Sequence, residues 1–376
     1  MKKRRLKKTP LIIILCVILG GCFVIAKTTN KGTKANSDSK IVEKKSSKKA
    51  EKKSKKKSMS LVMVGDVLTH DSVLADALKE DGTYDFTPMF TYIKPIIKDY
   101  DLKYVNEESI IGGASFKYSG YPTFNAPDSI GDNLIDTGFN LIGLANNHAF
   151  DKGESAILYS NKYWGGKDVI TSGTYSSFEE RDDIKVYEKN GIKYAFLAYT
   201  TSLNGYTLSS DKSYLVNVYS DELVKDDINK IKDKVDVVIV AMHWGDEYTN
   251  TPTNSEREIA QYLSELGVDL VIGTHPHVVQ PIEYVGETLV IYSLGNFISN
   301  QLVLGLNPAI GLMVGVDITV DGDETKVSIK EKELLYSYSD NSTNFKVIPF
   351  SKMSDDILAD YKSIEEKYMS IVGDVN

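Results

Sequence analysis

From Met59 onward the chain takes on one kind of pattern. Short apolar runs alternate with stretches of helical periodicity, and several of the runs end in a polar cluster of Asp, Glu, Asn or His. The runs are "SLVMVG" (60–65), "DLKYVN" (101–106), "NLIGLAN" (140–146), "IKYAFLAYT" (192–200), "VDVVIVAM" (235–242), "VDLVIGT" (268–274), "TLVIYSLG" (288–295) and "AIGLMVGVDIT" (309–319). Several are continuous rather than alternating, as expected for strands covered on both faces. Between two of them, "TNSEREIAQYLSELG" places Ile259, Tyr262, Leu263 and Leu266 at helical spacing. Thr253 with Glu256 reads as a capping box and Gly267 as the stop. "SKMSDDILADYKSIEEKYMSIVG" (351–373) reads as a closing C-terminal helix. The order predicts an α/β fold with helices outside a core of strands.

The polar clusters fall just past the predicted strand ends. Asp66 follows the first. Asn106 and Glu108 end the second. Asn146, Asn147, His148 and Asp151 follow the third. His243 and Glu247 follow "VDVVIVAM", His275 and His277 follow "VDLVIGT", and Asn296 follows "TLVIYSLG". In open α/β sheets, binding residues collect beyond the carboxyl ends of strands. Each motif alone has an ordinary explanation: Asn-Asn-His can be a turn, and Gly-Asp can cap a helix. Their joint placement predicts one shared site. Four of the five histidines lie in three of these motifs, and the fifth, His70, is four residues past Asp66.

His and carboxylate without cysteine suit a divalent ion such as manganese, iron or zinc. An extended His275-Pro276-His277 would put both imidazoles on one side, and Pro276 would stiffen the backbone between them. Two ions roughly 3.5–4 Å apart can clamp the attacking and leaving oxygens of a phosphoester displacement. Asn147 can ligate one of them, while His148, oriented by Asp151, moves the proton.

Charge divides the chain. Of 44 basic and 52 acidic residues, 19 and three lie in the first 58, leaving 25 and 49, a formal net of about −24 beyond them. Such a surface is unsuited to nucleic acid. Residues 1–26 read as a targeting segment: a basic flank, "MKKRRLKK", then sixteen apolar residues, "LIIILCVILGGCFVIA". The expected outcome is a single membrane anchor with the main domain outside the cell. "LGGC" offers an alternative, a lipoprotein attached through Cys22. Both cysteines lie in this segment, so the outer domain can form no disulfide. Residues 27–58, rich in Lys and Ser, read as a disordered tether. Residues 59–350 form the predicted domain, with 351–376 packed on it.

Taken in order, "MVGDVLTH", "VNEES", "ANNHAFDKG", "HWGDEY", "GTHPHVVQP" and "YSLGNF" resemble the signature blocks of the CapA (PgsA) family of capsule and poly-gamma-glutamate synthesis proteins. The resemblance covers roughly residues 59–310. It implies a fold similar to calcineurin-like metallophosphoesterases, a four-layer α/β/β/α sandwich, and membrane anchoring. It also implies work on an anionic capsule polymer beside other membrane subunits of a polymer synthase. By this likeness Asp66, Glu108, Asn147, His243, His275 and His277 match metal ligands, and His148 with Asp151 the catalytic pair. His70, Asn106, Glu247 and Asn296 are then candidates for contacting a substrate. Two positions depart from the pattern. Glu107 stands where the family block usually has leucine. Leu68 stands where the phosphoesterases carry a histidine, which leaves one metal position short of a ligand. The implied activity is metal-dependent hydrolysis, with a non-catalytic synthase subunit as the alternative.

Overall fold

The computed structural model describes residues 56–375. The expected anchor (1–26) and nearly all of the tether (27–58) lie outside them. Among the described residues no helix is long and apolar enough to cross a membrane. In chain order the strands are β1 (Lys57–Val67), β2 (Leu102–Glu107), β3 (Leu141–Gly143), β4 (Ile170–Ser172), β5 (Tyr187–Lys189), β6 (Ile192–Thr200) and β7 (Val237–His243). They continue with β8 (Leu270–Thr274), β9 (Ile282–Val285), β10 (Thr288–Ile291), β11 (Asn296–Ile298), β12 (Ile310–Asp321), β13 (Glu324–Asp340) and β14 (Thr343–Pro349). The helices are α1 (Asp71–Ala77), α2 (Lys94–Ile97), α3 (Asp128–Thr137), α4 (Glu154–Gly165), α5 (Phe178–Asp182), α6 (Asp221–Ile231), α7 (Asn254–Glu265) and α8 (Tyr361–Val372).

The strands form two sheets. One runs β14-β13-β12-β1-β2-β3-β4, with β11 added to the end of β1; the other runs β5-β6-β7-β8-β10-β9. β1 to β4 are mutually parallel, as are β6, β7, β8 and β10. Their apolar runs are buried on both faces, which is why they do not alternate. Met63, Tyr104 and Leu141 of the first sheet pack against Phe196, Ile239 and Ile272 of the second, making the inter-sheet core. On the outer face of the first sheet, Val62, Val105 and Ile142 meet Leu74, Ile130 and Leu134 of α1 and α3. On the outer face of the second, Leu197, Val240 and Val271 meet Ile228 of α6 and Leu263 of α7. The layers are thus helix, sheet, sheet, helix.

Glycine lets the sheets converge where the polar rim begins. A Cβ on Gly65 would stand 1.7 Å from the Gly295 carbonyl oxygen, and one on Gly273 would stand 1.9 Å from that of Tyr292. These contacts bring the residues after Gly65 and Gly273, Asp66 and His275 among them, to one place.

Several expected boundaries change. β1 begins at Lys57, inside the expected tether, because Lys57 pairs with Val320. The run 288–295 is strand only to Ile291, and β11 follows a turn. The hairpin of β13 and β14 was not anticipated, because "ETKVSIKEKELLYSYSD" carries so many charges that its half-buried alternation is diluted. The closing helix covers only Tyr361–Val372; its N-cap, Asp360, has φ +59°, outside helical geometry. Tyr368 and Val372 bury it against the inter-sheet core. α7 has the anticipated capping box of Thr253 and Glu256, and Gly267 follows it with φ +85°.

Candidate metal centre and acid–base pair

Six strand ends meet at one rim. Asp66 is the penultimate residue of β1 and is fully buried. Its carboxylate accepts from Asn106 Nδ2 at 2.7 Å and from the His275 backbone N–H at 3.3 Å, and it lies 3.2 Å from His277 Nδ1. Glu108, just past β2, is also fully buried, and neither of its carboxylate oxygens has a hydrogen-bond partner. His243 ends β7. Its Nδ1 lies 3.0 Å from Thr274 Oγ1 at the end of β8, and its Nε2 lies 2.9 Å from Asn147 Oδ1 and 3.1 Å from His275 Nδ1.

The ligand atoms fall into two groups, each within 4.8 Å: Glu108, His243 and His275, and Asp66, Glu108 and His277. Glu108 belongs to both. Without an ion this arrangement is frustrated. Neither Glu108 oxygen accepts a hydrogen bond, and burial makes a charge there costly. His243 Nε2 faces an amide oxygen, an imidazole nitrogen and, at 3.5 Å, Glu108 Oε1, and one proton cannot satisfy all three. The donor set is His, carboxylate and amide oxygen, as divalent transition ions require. The residues present therefore fit two ions sharing Glu108. With Leu68 in place of histidine, Asp66, Glu108 and His277 still supply three donors to the second position.

His275 and His277 do not converge through strand alternation. The segment after β8 is a bend, not extended chain, and both residues have positive φ, +100° and +59°. Such angles are rare for residues with a Cβ, and surrounding contacts must hold them. The Pro276 carbonyl accepts from Tyr248 N–H at 2.8 Å, and the ring centroids stand 6.0 Å apart.

The electrostatics follow from burial. Burial pulls His243 down to about 3, against the charge of Asp66. Burial, then the charge of His243, holds His275 well below its ordinary value. Both are therefore neutral and ready to ligate. Burial also works against charge on His277, but Glu108 and Asp66 together raise it to about 9. Burial, then the charge of Asp66, pushes Glu108 well above the usual carboxylate range. Burial opposes charge on Asp66 as well, yet the hydrogen bond and charge of His277 hold it below its ordinary value. In the metal-free protein His277 thus carries the proton that an ion would displace.

Beside this centre, His148 Nδ1 lies 2.7 Å from Asp151 Oδ2, which also accepts from the Phe124 N–H at 2.7 Å. The Phe124 ring stands edge-on to His148 at 4.7 Å. Asp151 thereby fixes the Nδ1–H tautomer and leaves Nε2 for the adjoining cleft. That cleft, about 510 Å³, is lined by His148, Asn147, Tyr121, Asn204, Tyr206 and Glu247.

The four remaining candidates separate. Glu247 is exposed on the cleft wall. His70 stands outside both ligand groups: its Nδ1 accepts from the Asn300 N–H at 3.1 Å, its ring packs on Phe124 at 5.5 Å, and burial lowers it to about 4. Asn106 is buried and donates to Asp66. Asn296, paired in register with Asp66, is buried and donates to Gln301 Oε1 and the Pro308 carbonyl. Asn106 and Asn296 brace the rim from beneath. Two participants escaped the sequence reading. Thr274 looks like the last residue of an apolar strand, and Asn204 sits in "TSLNGYT", where Asn-Gly signals only a turn.

A PGA biosynthesis protein CapA from Bacillus subtilis is 33% identical over 171 residues, covering 45% of this chain and 44% of that protein. A capsule biosynthesis protein CapA from Bacillus anthracis is 27% identical over 308 residues, 80% of this chain and 71% of that one. The chain thus spans less than half the length of the first relative. Among solved structures, a novel phosphatase from Mycoplasma pneumoniae aligns at 18% identity and TM-score 0.47, covering 74% of this chain and 92% of that one. The calcineurin-like phosphoesterase YfkN from Bacillus subtilis aligns at 14% and 0.44, covering 73% and 91%. The family described as bacterial capsule synthesis protein PGA_cap matches residues 60–301, and the chain belongs to it.

Proposed function

We propose that this chain is a cell-surface protein of capsule synthesis, held to the bacterial membrane by residues 1–26, whose rim binds two divalent ions and acts on a phosphoester or related bond. The observation that carries the reading is Glu108: a fully buried carboxyl group that accepts no hydrogen bond and is common to two ligand groups beside a His–Asp pair. Bound divalent ions would lower the pKa of water and offset charge on the reacting oxygens.

The chain's own residues do the rest. Asp66, Glu108 and His277 would hold one ion; Glu108, His243, His275 and Asn147 would hold the other. His148 delivers a proton from Nε2 to the departing oxygen, and Asp151 stabilises the imidazolium before transfer. Phe124 packs edge-on against that ring at 4.7 Å. The capsule names of the relatives support an anionic polymer of the poly-gamma-glutamate type, made beside other membrane subunits of a synthase. The acidic domain repels such a polymer, while the Lys-rich tether attracts it.

The test uses full-length protein extracted from membranes and loaded with Mn²⁺, assayed with bis(p-nitrophenyl) phosphate. His148→Ala should lower turnover about 10²–10⁴-fold with metal content unchanged. His277→Ala should lose both metal and turnover. Absence of hydrolysis, together with co-purification of membrane synthase subunits, would replace the enzyme with a non-catalytic subunit. Protease added to intact cells should reach the domain; full protection would remove the outer location.

A further inference from the structure

We infer that Asn204 is a positioning residue that sets the amide of Asn147 for the metal and offers its own amide to an anionic ligand. The inference rests on the metal reading above. An asparagine can ligate a divalent ion only through its oxygen, and nothing within the side chain itself decides which end of the amide faces the centre. Here a neighbour decides. Asn147 Nδ2 donates to Asn204 Oδ1 at 3.2 Å, while Asn147 Oδ1 lies 2.9 Å from His243 Nε2. Rotating the Asn147 amide by half a turn would set its oxygen against the Asn204 oxygen and its NH₂ against the centre.

The other end of Asn204 faces the acid–base pair. Its Nδ2 is 3.4 Å from His148 Nδ1, but that ring nitrogen already gives its proton to Asp151. Two donors cannot bond, so the Asn204 N–H groups are left to the cleft that Asn204 lines with His148 and Glu247. A negatively charged oxygen placed between the centre and His148 Nε2 is the acceptor they suit.

The loop is built to hold this side chain. Asn204 and Gly205 have φ of +51° and +84°, a sharp left-handed turn. Leu203 is buried beneath it, the Asn204 N–H donates to Ser202 Oγ at 3.2 Å, and Tyr206 packs edge-on to Phe150 at 5.6 Å. Asn204 itself is exposed, so its replacement removes little packing.

The experiment compares wild type, Asn204→Ala and Asn204→Asp as full-length protein, by titration with Mn²⁺ and then with inorganic phosphate. Asn204→Ala should weaken Mn²⁺ binding about tenfold, as loss of a ligand-orienting partner does. Asn204→Asp keeps the oxygen that Asn147 needs and should bind Mn²⁺ at least as tightly as wild type. Both variants should bind phosphate about tenfold more weakly, having lost the donor. Metal-free thermal unfolding should be the same in wild type and Asn204→Asp, and slightly lower in Asn204→Ala, because alanine is strained at φ +51°. Wild-type Mn²⁺ affinity in Asn204→Ala overturns the positioning role, and unchanged phosphate affinity in Asn204→Asp overturns the donor role. Wild-type protein that takes up no Mn²⁺ removes the metal reading and this inference together, whereas normal wild-type uptake with an unaffected alanine variant removes the inference alone.

Discussion

At the scale of single residues, burial penalises an ionisable group even where a hydrogen bond supports it, and Asp269 shows the cost. Its carboxyl stands at the start of β8, and burial raises it to about 6 although the Val238 N–H donates to it. A group raised above its unfolded value of 3.8 stabilises the fold fully below that value, and the contribution disappears as pH rises through 6. Asp269→Asn keeps an oxygen for Val238 without the charge. It should therefore raise the melting temperature by ~2–4 °C at pH 7.5, for about 1 kcal/mol, and leave it unchanged at pH 4. Equal shifts at both pH values would show that ionisation is not the cause. The residue scale is also where sequence reading was strongest. Asp66, Glu108, Asn147, His243, His275 and His277 were legible as residues of one rim, because each follows a predicted strand. What positions them was not. Thr274 and Asn204 act through partners 31 and 57 positions away in sequence, and local pattern carries no trace of such pairs.

At the scale of elements, the site depends on how closely strands and turns approach. Gly65 lies between the apolar run of β1 and Asp66, against the backbone of Gly295. Gly65→Ala would force β1 and β11 apart, since main-chain atoms cannot swing aside. The expected result is insoluble protein, or a folded fraction that has lost more than ~4 kcal/mol of stability and its metal; a well-folded, metal-replete variant would refute this. α7 offers the opposite case. Thr253→Ala removes the cap on the Glu256 N–H and should cost about 1 kcal/mol in chemical unfolding, with metal content untouched. A change in metal uptake would mean that α7 does more than cover the sheet. The capping box was visible because its signal is local. The β13–β14 hairpin was not, because its long, charged strands are made into strands by pairing with β12 and each other.

At the scale of the whole molecule, two sheets bring together residues from six strand ends, and the ligand atoms buried at their junction form two groups that could each hold an ion. Metal binding should therefore act on global stability. An ion that binds only the folded state adds RT ln(1 + [L]/Kd), about 2.7 kcal/mol at a hundredfold excess over Kd. Mn²⁺ should raise the melting temperature of chelator-stripped protein by several degrees, and His277→Ala should largely abolish the rise. An identical rise in the variant would place the ion elsewhere.

The sequence by itself determined the alternation of strands and helices, the order of the polar blocks, the division of charge and the family. All of these are written in local periodicity and composition. Only the tertiary structure decided that Glu108 is shared between two ligand groups. It alone turned His275 and His277 together through left-handed backbone, and set Asn106 and Asn296 to bracing while Asn204 reached the cleft. Those outcomes depend on which distant surfaces pack against each other, and that is fixed by the summed burial of two sheets and their helices rather than by any short stretch of chain.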